Sequence, residues 1–267
     1  RAAFIGKACT DTMGEKFREA FDHCGVKSCV PLVPFDRDID RATARCLVMV
    51  TPDHDRTFAF NMGICEEIEE SDIDTRTILE SGILFIEGQM LVSRRARQAV
   101  AMALKTAKDA GVKVAFNMHD LNFRAVAVQE VIETIRTQAD ILIGNEREIR
   151  GCFEIDRSIT DMDAFMNVLT DRRQILAMTR GARGACIFSH EGIATVASEN
   201  HQSVVDSTGA GDAFAGGFLF GLSQGLSLPA AGKLAALSAA EIIRIWGGRP
   251  EKSLAAELKS YLDSVRP

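Results

Sequence analysis

Residues 204–214 read Val204-Val205-Asp206-Ser207-Thr208-Gly209-Ala210-Gly211-Asp212-Ala213-Phe214, an apolar pair followed by a glycine-rich turn and the start of a small-residue helix. Gly209 and Gly211 have no Cβ, so the backbone can turn tightly and direct several N–H groups toward one point. That point lies at the positive end of the helix predicted over residues 210–222. Amides arranged in this way bind anions, phosphate among them. The stretch therefore predicts a phosphate site.

Asp212 does not fit a site that only binds phosphate, because its carboxylate repels the anion that the amides attract. A carboxylate facing a transferring phosphoryl group can accept the proton of an attacking hydroxyl, which is the general-base role in phosphoryl transfer. The alternative is that Asp206, Ser207 and Asp212 only cap the helix, as these residue types commonly do. The surrounding sequence has to separate the two interpretations.

The composition is that of an ordinary globular protein that can bury a sizeable core: 46% of the 267 residues are hydrophobic and 25% are charged. A net charge of −6 argues against a nucleic-acid partner, which would need a basic face. No apolar segment reaches the roughly 18 to 20 residues that span a bilayer, and the start shows no signal-peptide pattern. We therefore expect a cytoplasmic protein that acts on a small molecule, with neither nucleic acid nor membrane as a partner.

From about residue 83 onward, short apolar and β-branched runs alternate with longer helical patterns. This alternation is typical of βα units around a parallel sheet. Strands are predicted at 83–86, 112–116, 141–143, 175–178 and 185–188, and helices near 93–110, 124–137, 160–170, 210–223, 229–246 and 251–264. We expect a single α/β domain over residues 1–267, folded as a three-layer α/β/α sandwich with a mostly parallel sheet.

Two segments fall outside this alternation. Residues 44–62 place apolar runs on either side of a turn-rich stretch at 51–56, which predicts a β-hairpin. Such a hairpin would serve as a small β lid over a site on the main sheet, or else as a decoration of its edge. Residues 1–6 already read like the middle of a buried strand, so we expect that an N-terminal part of the protein is missing.

Two predicted turns carry suitable ligands at the carboxyl ends of strands, where open parallel sheets bind their ligands. Asn145 and Glu148 follow the strand at 141–143, and their oxygen atoms suit Mg²⁺ held partly through water. A helix cap would use the same two residues. Residues 178–184 combine a hydroxyl, arginines and two glycines and could hold nucleotide phosphates, although a plain turn into the strand at 185–188 would use the same glycines.

Three motifs follow one another along the chain, namely Asn145-x-x-Glu148, Thr179-x-Gly181-x-x-Gly184 and Asp206-Ser207-Thr208-Gly209-Ala210-Gly211-Asp212. The chain lacks GxxxxGK[ST] and a strand-linked GxGxxG, which disfavours P-loop and Rossmann folds. In order and spacing the motifs resemble the ribokinase (PfkB) family of ATP-dependent sugar and nucleoside kinases, over nearly the whole chain. Gly6-x-x-x-x-Asp11-x-x-Gly14 looks like the first conserved region of that family, whose lid strands fall where residues 44–62 lie.

The resemblance implies roles in the phosphoryl transfer itself. Asp212 would be the base that activates the substrate hydroxyl. The anion hole for the γ-phosphoryl group would be formed by the backbone amides of Gly209, Ala210 and Gly211. The Mg²⁺ ion and its waters would be organised by Asn145 and Glu148.

The resemblance also implies how ATP and a second cation are held. The ATP phosphates would lie along Thr179, Gly181 and Gly184. The helix at 235–240 and the turn at 247–250 would border the adenine. Many members of the family bind a monovalent cation such as K⁺ near this loop, and here that cation would engage Asp206, Thr208 and the carbonyls around Gly247.

The substrate has to be predicted without the segments that hold sugar hydroxyls in this family, an N-terminal Asp and GGxxxN, because the 267 residues contain neither. Three stretches look most like the adenosine kinase branch, at 56–58, 117–120 and 239–251. Within the second, His119 and Asp120 would alternatively cap a helix. We expect phosphorylation of a nucleoside, the 5′-hydroxyl of adenosine in first place. The alternatives are a sugar kinase for ribose, fructose or 2-keto-3-deoxygluconate, and a catalytically silent nucleoside- or sugar-binding protein; both monomer and homodimer remain open.

Overall fold

A computed structural model describes residues 1–51, 56–91, 93–118, 128–199, 204–251 and 253–265. Internal packing divides the chain into two compact units. Unit 1 comprises Arg1–Ser81 and Met90–Val112, and unit 2 comprises Gly82–Gln89 and Lys113–Pro267. The single kinase domain expected over 1–267 stays a prediction.

Unit 1, where the structure describes it, is built from short strands and α-helices. They are β1 (Ala3–Ile5), β2 (Ala8–Cys9), α1 (Thr12–Cys24), β3 (Lys27–Cys29), β4 (Leu32–Val33), β5 (Arg45–Val50), β6 (Arg56–Asn61), α2 (Thr75–Leu79) and α3 (Arg94–Asp109). β1 pairs in parallel with β3 and β2 with β4, while β5 and β6 are antiparallel. Ala3 and Phe4 are exposed, so the expectation of a buried first strand is wrong: β3 is the strand paired with β1 in the described part of the chain.

The Gly6-x-x-x-x-Asp11-x-x-Gly14 motif starts α1. Asp11 Oδ1 accepts a hydrogen bond from Gly14 N at 2.8 Å, and its Oδ2 accepts one from Thr43 N at 3.0 Å. Burial raises the pKa of Asp11, but its hydrogen bonds with Thr43 and Gly14 outweigh that effect and lower the pKa below its ordinary value. A Cβ on Gly14 would lie 1.9 Å from the carbonyl oxygen of Cys9, so this position requires glycine. The motif therefore acts within unit 1 as a tightly packed helix start.

β5 and β6 form the hairpin predicted at 44–62, with Val48 opposite Phe58 and Cys46 opposite Phe60. Its turn at 52–55 lies outside the described residues. The hairpin presents large apolar side chains to solvent, because Leu47, Phe58 and Phe60 are all exposed. The rings of Phe58 and Phe60 stack with their centroids 5.8 Å apart. The role of the hairpin as a lid stays a prediction.

Unit 2, where the structure describes it, holds the main sheet and the α-helices around it. They are β7 (Ile83–Glu87), β8 (Lys113–Asn117), α4 (Val128–Gln138), β9 (Ile141–Asn145), α5 (Glu146–Cys152), β10 (Ile175–Thr179), β11 (Ala185–Ser189), β12 (Gly192–Val196), α6 (Ala210–Ser223), α7 (Leu228–Ile242) and α8 (Ala255–Val265). The strands lie in the order β7-β8-β9-β10-β11-β12. β7 to β10 are parallel, and β11 is antiparallel to both of its neighbours. The predicted mostly parallel sheet with flanking helices is confirmed.

The core of unit 2 joins this sheet to α6 and α7. Phe214, Phe218 and Leu234 from the helices pack in one apolar cluster with strand residues Ile143 and Ala177. The central strands read as nearly continuous apolar runs because parallel strands are buried on both faces. This packing holds α6, and the glycine-rich turn that precedes it, against β9 and β10. These two strands end at Asn145 and Thr179, where the other two motifs begin.

Three sequence predictions need correction in unit 2. Residues 160–170 do not form an α-helix but a 3₁₀-helix at Met162–Val168, a form common in short connecting segments. The helix predicted to reach residue 246 ends at Ile242, and in the turn that follows it the carbonyl of Ile243 accepts a hydrogen bond from Val205 N at 2.8 Å. β12 was not predicted. The first residues of the helix expected at 124–137 lie outside the described residues.

In the described part of the chain, no helix combines the length and the apolar composition needed to span a membrane.

Candidate active site

The glycine-rich turn is left-handed at its central glycine and packs closely against the turn that follows α7. Gly209 is the N-cap of α6 and is left-handed, with φ 77° and ψ 0°. A Cβ at Gly209 would lie 2.5 Å from Cα and 2.9 Å from the carbonyl oxygen of Gly248, so both the dihedral angle and the space require glycine. Gly209 gives this helix start no side-chain cap, and the positive end of a helix dipole in general favours an anion.

Asp206 joins this turn to the one that follows α7. Its side chain is buried, with the residue only 4% exposed. Oδ1 accepts hydrogen bonds from Thr208 N at 2.9 Å and Thr208 Oγ1 at 2.7 Å, and Oδ2 accepts one from Gly247 N at 2.9 Å. A buried carboxylate is tolerated when it is bonded in this way. The structure thus brings together three predicted residues, Asp206, Thr208 and Gly247; the monovalent cation expected there stays a prediction.

Asp212 lies in the first turn of α6 and is exposed. The alternative that Asp206, Ser207 and Asp212 merely cap this helix does not hold for the N-cap position, which Gly209 occupies. Asp206 instead bonds to Thr208 and the turn after α7. Asp212 therefore places a carboxylate at the same helix end as the amides of Gly209, Ala210 and Gly211, as the predicted base would require.

Asn145 and Glu148 form a capping box at the start of α5. Asn145 Oδ1 accepts a hydrogen bond from Glu148 N at 2.9 Å, and Glu148 Oε2 accepts one from Asn145 N at 2.8 Å. The capping interpretation of these residues is thus confirmed. Within the described ranges, no group of three or more His, Cys, Asp or Glu side chains is arranged to hold a metal ion.

The loop after β10 is a tight turn into β11, as the plainer interpretation of residues 178–184 predicts. Gly181 and Gly184 have positive φ angles of 58° and 81°. A Cβ on Gly184 would lie 2.0 Å from the carbonyl oxygen of Val196. Thr179 is the last residue of β10 and stands in register with Asn145 of β9. The motifs that begin at Asn145 and Thr179 are therefore neighbours at the carboxyl ends of adjacent parallel strands.

The same edge of the sheet holds Glu87, which the sequence analysis missed, paired with Asn117 from the stretch at 117–120. Asn117, the last residue of β8, is buried and donates a hydrogen bond from Nδ2 to Glu87 Oε2 at 3.1 Å. Glu87 is its register partner at the end of β7. A polar residue directly after the predicted strand at 83–86 was the available signal. His119 and Asp120 lie outside the described residues.

A second group that the sequence analysis missed surrounds Glu146, the first residue of α5. Three guanidinium groups contact its carboxylate, those of Arg150, Arg180 and Arg183. Burial raises the pKa of Glu146, but the hydrogen bond from Arg150 and the charge of Arg183 outweigh it and lower the pKa below its ordinary value of 4.5. Glu146 therefore remains ionised at neutral pH and connects α5 to the loop after β10.

Comparison with known proteins identifies the family. A family model described as pfkB family carbohydrate kinase matches residues 1–251. The chain belongs to this family. Among pfkB relatives, it is 31% identical over 247 residues to a probable fructokinase-5 from Arabidopsis thaliana, a match covering 88% of this chain and 72% of the relative.

Two solved structures are similar over almost the entire chain. The adenosine kinase from Sinorhizobium meliloti has a TM-score of 0.88 at 29% identity, with 97% of this chain and 77% of that chain covered. A probable sugar kinase protein from Rhizobium etli CFN 42 has a TM-score of 0.88 at 28% identity, with the same coverage. These findings confirm the ribokinase-like fold, the likeness to adenosine kinase and the enzyme class: the chain is an ATP-dependent kinase of the pfkB family. The roles of single site residues stay predictions.

Proposed function

We propose that this pfkB kinase transfers the γ-phosphoryl group of ATP to the 5′-hydroxyl of a nucleoside, with adenosine as the first candidate. The observation that carries the proposal is the exposed carboxylate of Asp212 in the first turn of α6, directly after the left-handed Gly209. A carboxylate and backbone amides at one helix end match the two needs of the reaction, a proton acceptor and charge stabilisation.

In the proposed step, Asp212 accepts the proton of the substrate hydroxyl while the hydroxyl oxygen attacks the γ-phosphorus. The bond from that phosphorus to the β,γ-bridging oxygen breaks, and ADP leaves with the electron pair. The backbone amides of Gly209, Ala210 and Gly211 stabilise the charge on the transferring group. Asp206 takes no part in the chemistry. Its hydrogen bonds to Thr208 and Gly247 hold the turn in place, and phosphoryl transfer depends mainly on such positioning.

ATP with Mg²⁺ is the proposed cofactor, and the capping box at α5 indicates how the ion would be held. Because Asn145 Oδ1 and Glu148 Oε2 already accept hydrogen bonds from backbone amides, direct ligation would compete with the start of the helix. The pair therefore suits an ion held through its waters, which Mg²⁺ retains readily. Bound there, Mg²⁺ would neutralise phosphate charge. Thr179, Gly181 and Gly184, next to Asn145 at the sheet edge, would lie along the ATP phosphates.

Adenosine is proposed over a sugar on two grounds. The chain is similar in structure to the adenosine kinase from Sinorhizobium meliloti. The stretch at 117–120, which looks like the adenosine kinase branch, begins with Asn117, and this residue is fixed by Glu87 at the carboxyl edge of the sheet. A sugar kinase is the second candidate, favoured by the 31% identity to a probable fructokinase and the equal TM-score to a probable sugar kinase.

The test is coupled ADP release by the purified protein with Mg·ATP. Adenosine, other nucleosides, ribose, fructose and 2-keto-3-deoxygluconate are offered in turn, with and without K⁺, and ATP without an acceptor gives the background rate. Selective turnover of adenosine supports the proposal. Turnover of a free sugar would retain the mechanism but move the substrate to the second candidate. Binding of a nucleoside or sugar without ADP release would instead indicate the silent binder.

A further inference from the structure

The three arginines around Glu146 carry more positive charge than its single carboxylate can neutralise. Arg150 Nη2 lies 2.8 Å, Arg180 Nε 3.4 Å and Arg183 Nη2 2.6 Å from the carboxylate oxygens of Glu146. Three guanidinium groups, which are always protonated, share a single carboxylate in this cluster. The surplus positive charge lies directly beside the loop that follows β10.

The three arginines differ in how firmly they are held. Arg150 donates to the carbonyl oxygens of Asp156 and Ile159, both at 2.9 Å, and its guanidinium lies 4.8 Å from the centroid of the Phe165 ring. These contacts and its burial make Arg150 a structural residue. Arg180 is also largely buried and approaches Cys186 Sγ at 3.7 Å.

Arg183 is the most exposed of the three arginines. Its side chain is 62% exposed, and within the described ranges Glu146 is the side chain to which it donates. Its backbone, by contrast, is tightly defined, because the 3₁₀ turn Gly181–Arg183 ends at Gly184, whose α-carbon has no room for a Cβ. A fixed backbone with an exposed guanidinium is suited to exchanging one anionic partner for another.

We propose that Arg183 is a ligand of the ATP polyphosphate, which it binds by leaving Glu146, while Arg150 and Arg180 stay paired with that carboxylate. The inference rests on the proposed function only in assuming that the nucleotide phosphates lie along the 179–184 loop. Glu146 then has two roles. It keeps Arg183 at the sheet edge before the nucleotide arrives, and it retains two guanidinium partners afterwards.

The test measures binding rather than turnover, by isothermal titration calorimetry of Mg·ATP, inorganic tripolyphosphate and adenosine. Arg183→Ala should weaken both ATP and tripolyphosphate by roughly 10- to 100-fold, the range for one charge-assisted hydrogen-bonding partner. Adenosine binding should change by less than about twofold, since adenosine has no phosphate to lose a partner. Arg183→Lys keeps the charge but not the planar fork, and should give intermediate affinities.

Arg173→Ala is the matched control. Arg173 precedes β10 as Arg183 follows it, and its side chain is 87% exposed and paired with the neighbouring Asp171. This variant should bind all three ligands like the unchanged protein. Circular dichroism and thermal midpoints establish that each variant is folded.

The outcomes separate this inference from the proposed function. If adenosine is phosphorylated and Arg183→Ala binds ATP as tightly as Arg173→Ala does, the inference is overturned and the function stands. If ATP weakens but tripolyphosphate does not, Arg183 acts on another part of the nucleotide and the inference is again overturned. If no acceptor is phosphorylated but both polyphosphates weaken as expected, the inference holds and the function fails. Absence of ATP binding to the unchanged protein overturns both.

Discussion

Gly209→Ala tests the geometry of the anion site. Alanine in the left-handed conformation costs about 1–2 kcal/mol, and forcing a Cβ to within 2.5 Å of Gly248 Cα adds about 1–3 kcal/mol of overpacking. We therefore expect the free energy of unfolding to fall by about 2–5 kcal/mol, a large share of the roughly 5–15 kcal/mol typical of a folded protein. Relief of the clash would also displace the amides of the turn, so kcat/KM should fall about 100-fold, as small misplacements do.

Gly216→Ala in the same helix is the control for this prediction. A Cβ there meets nothing within 4 Å, and replacing a glycine inside a helix by alanine is expected to stabilise by about 0.5–1 kcal/mol. Urea denaturation followed by circular dichroism gives both free energies, and coupled ADP release gives the kinetics. Should Gly209→Ala unfold at the urea concentration of the unchanged protein and retain its kcat/KM, the close approach to Gly248 would not be required and the reasoning would be refuted.

Three further changes probe the surrounding structure. Asp206→Asn removes the charge from three hydrogen bonds and should lower the free energy of unfolding by about 2–3 kcal/mol; an unchanged thermal midpoint would show that the buried carboxylate does not hold the two turns together. Gly184→Ala should destabilise by at least about 2 kcal/mol more than Gly181→Ala, because only the former places a Cβ against backbone; equal urea midpoints would contradict this. Glu146 has a lowered pKa in the folded state, so the stability lost in Glu146→Gln should be constant above about pH 4.5 and shrink as the pH falls further; a difference that grows on acidification, in urea titrations at successive pH values, would show the opposite shift.

The strands of unit 2 could be predicted from sequence because burial on both faces leaves a visible apolar run. β8, β9, β10 and β11 were located to within two residues for this reason. β12 was missed because Gly192–Val196 includes exposed and half-buried positions and has no such run. The prediction carried α7 beyond its observed end at Ile242 into a turn whose Ile243 carbonyl accepts a hydrogen bond from Val205, 38 positions earlier in the chain, and no local pattern contains that contact.

The candidate site shows the same division. Glycines mark turns in a sequence, so a tight turn at 209–211 could be predicted, and a turn was one of two interpretations of residues 178–184. Ion pairs between distant elements leave no local pattern in the sequence. Glu146 and Arg183 are 37 residues apart and meet because β9 and β10 are paired in register. The Asn145-x-x-Glu148 motif could be recognised in the sequence. Its spacing suits both a helix cap and an ion held through water, so the sequence alone could not decide between the two.

The assignment of Asp212 as the general base is tested most directly by measuring kcat and the Kd for Mg·ATP in the unchanged protein and in Asp212→Asn. The amide has nearly the shape of the carboxylate but cannot accept the hydroxyl proton, so kcat should fall by about 10²–10⁴-fold while the Kd for ATP stays within a few-fold. Equal turnover by the two proteins would contradict the role of Asp212 and the account of this site.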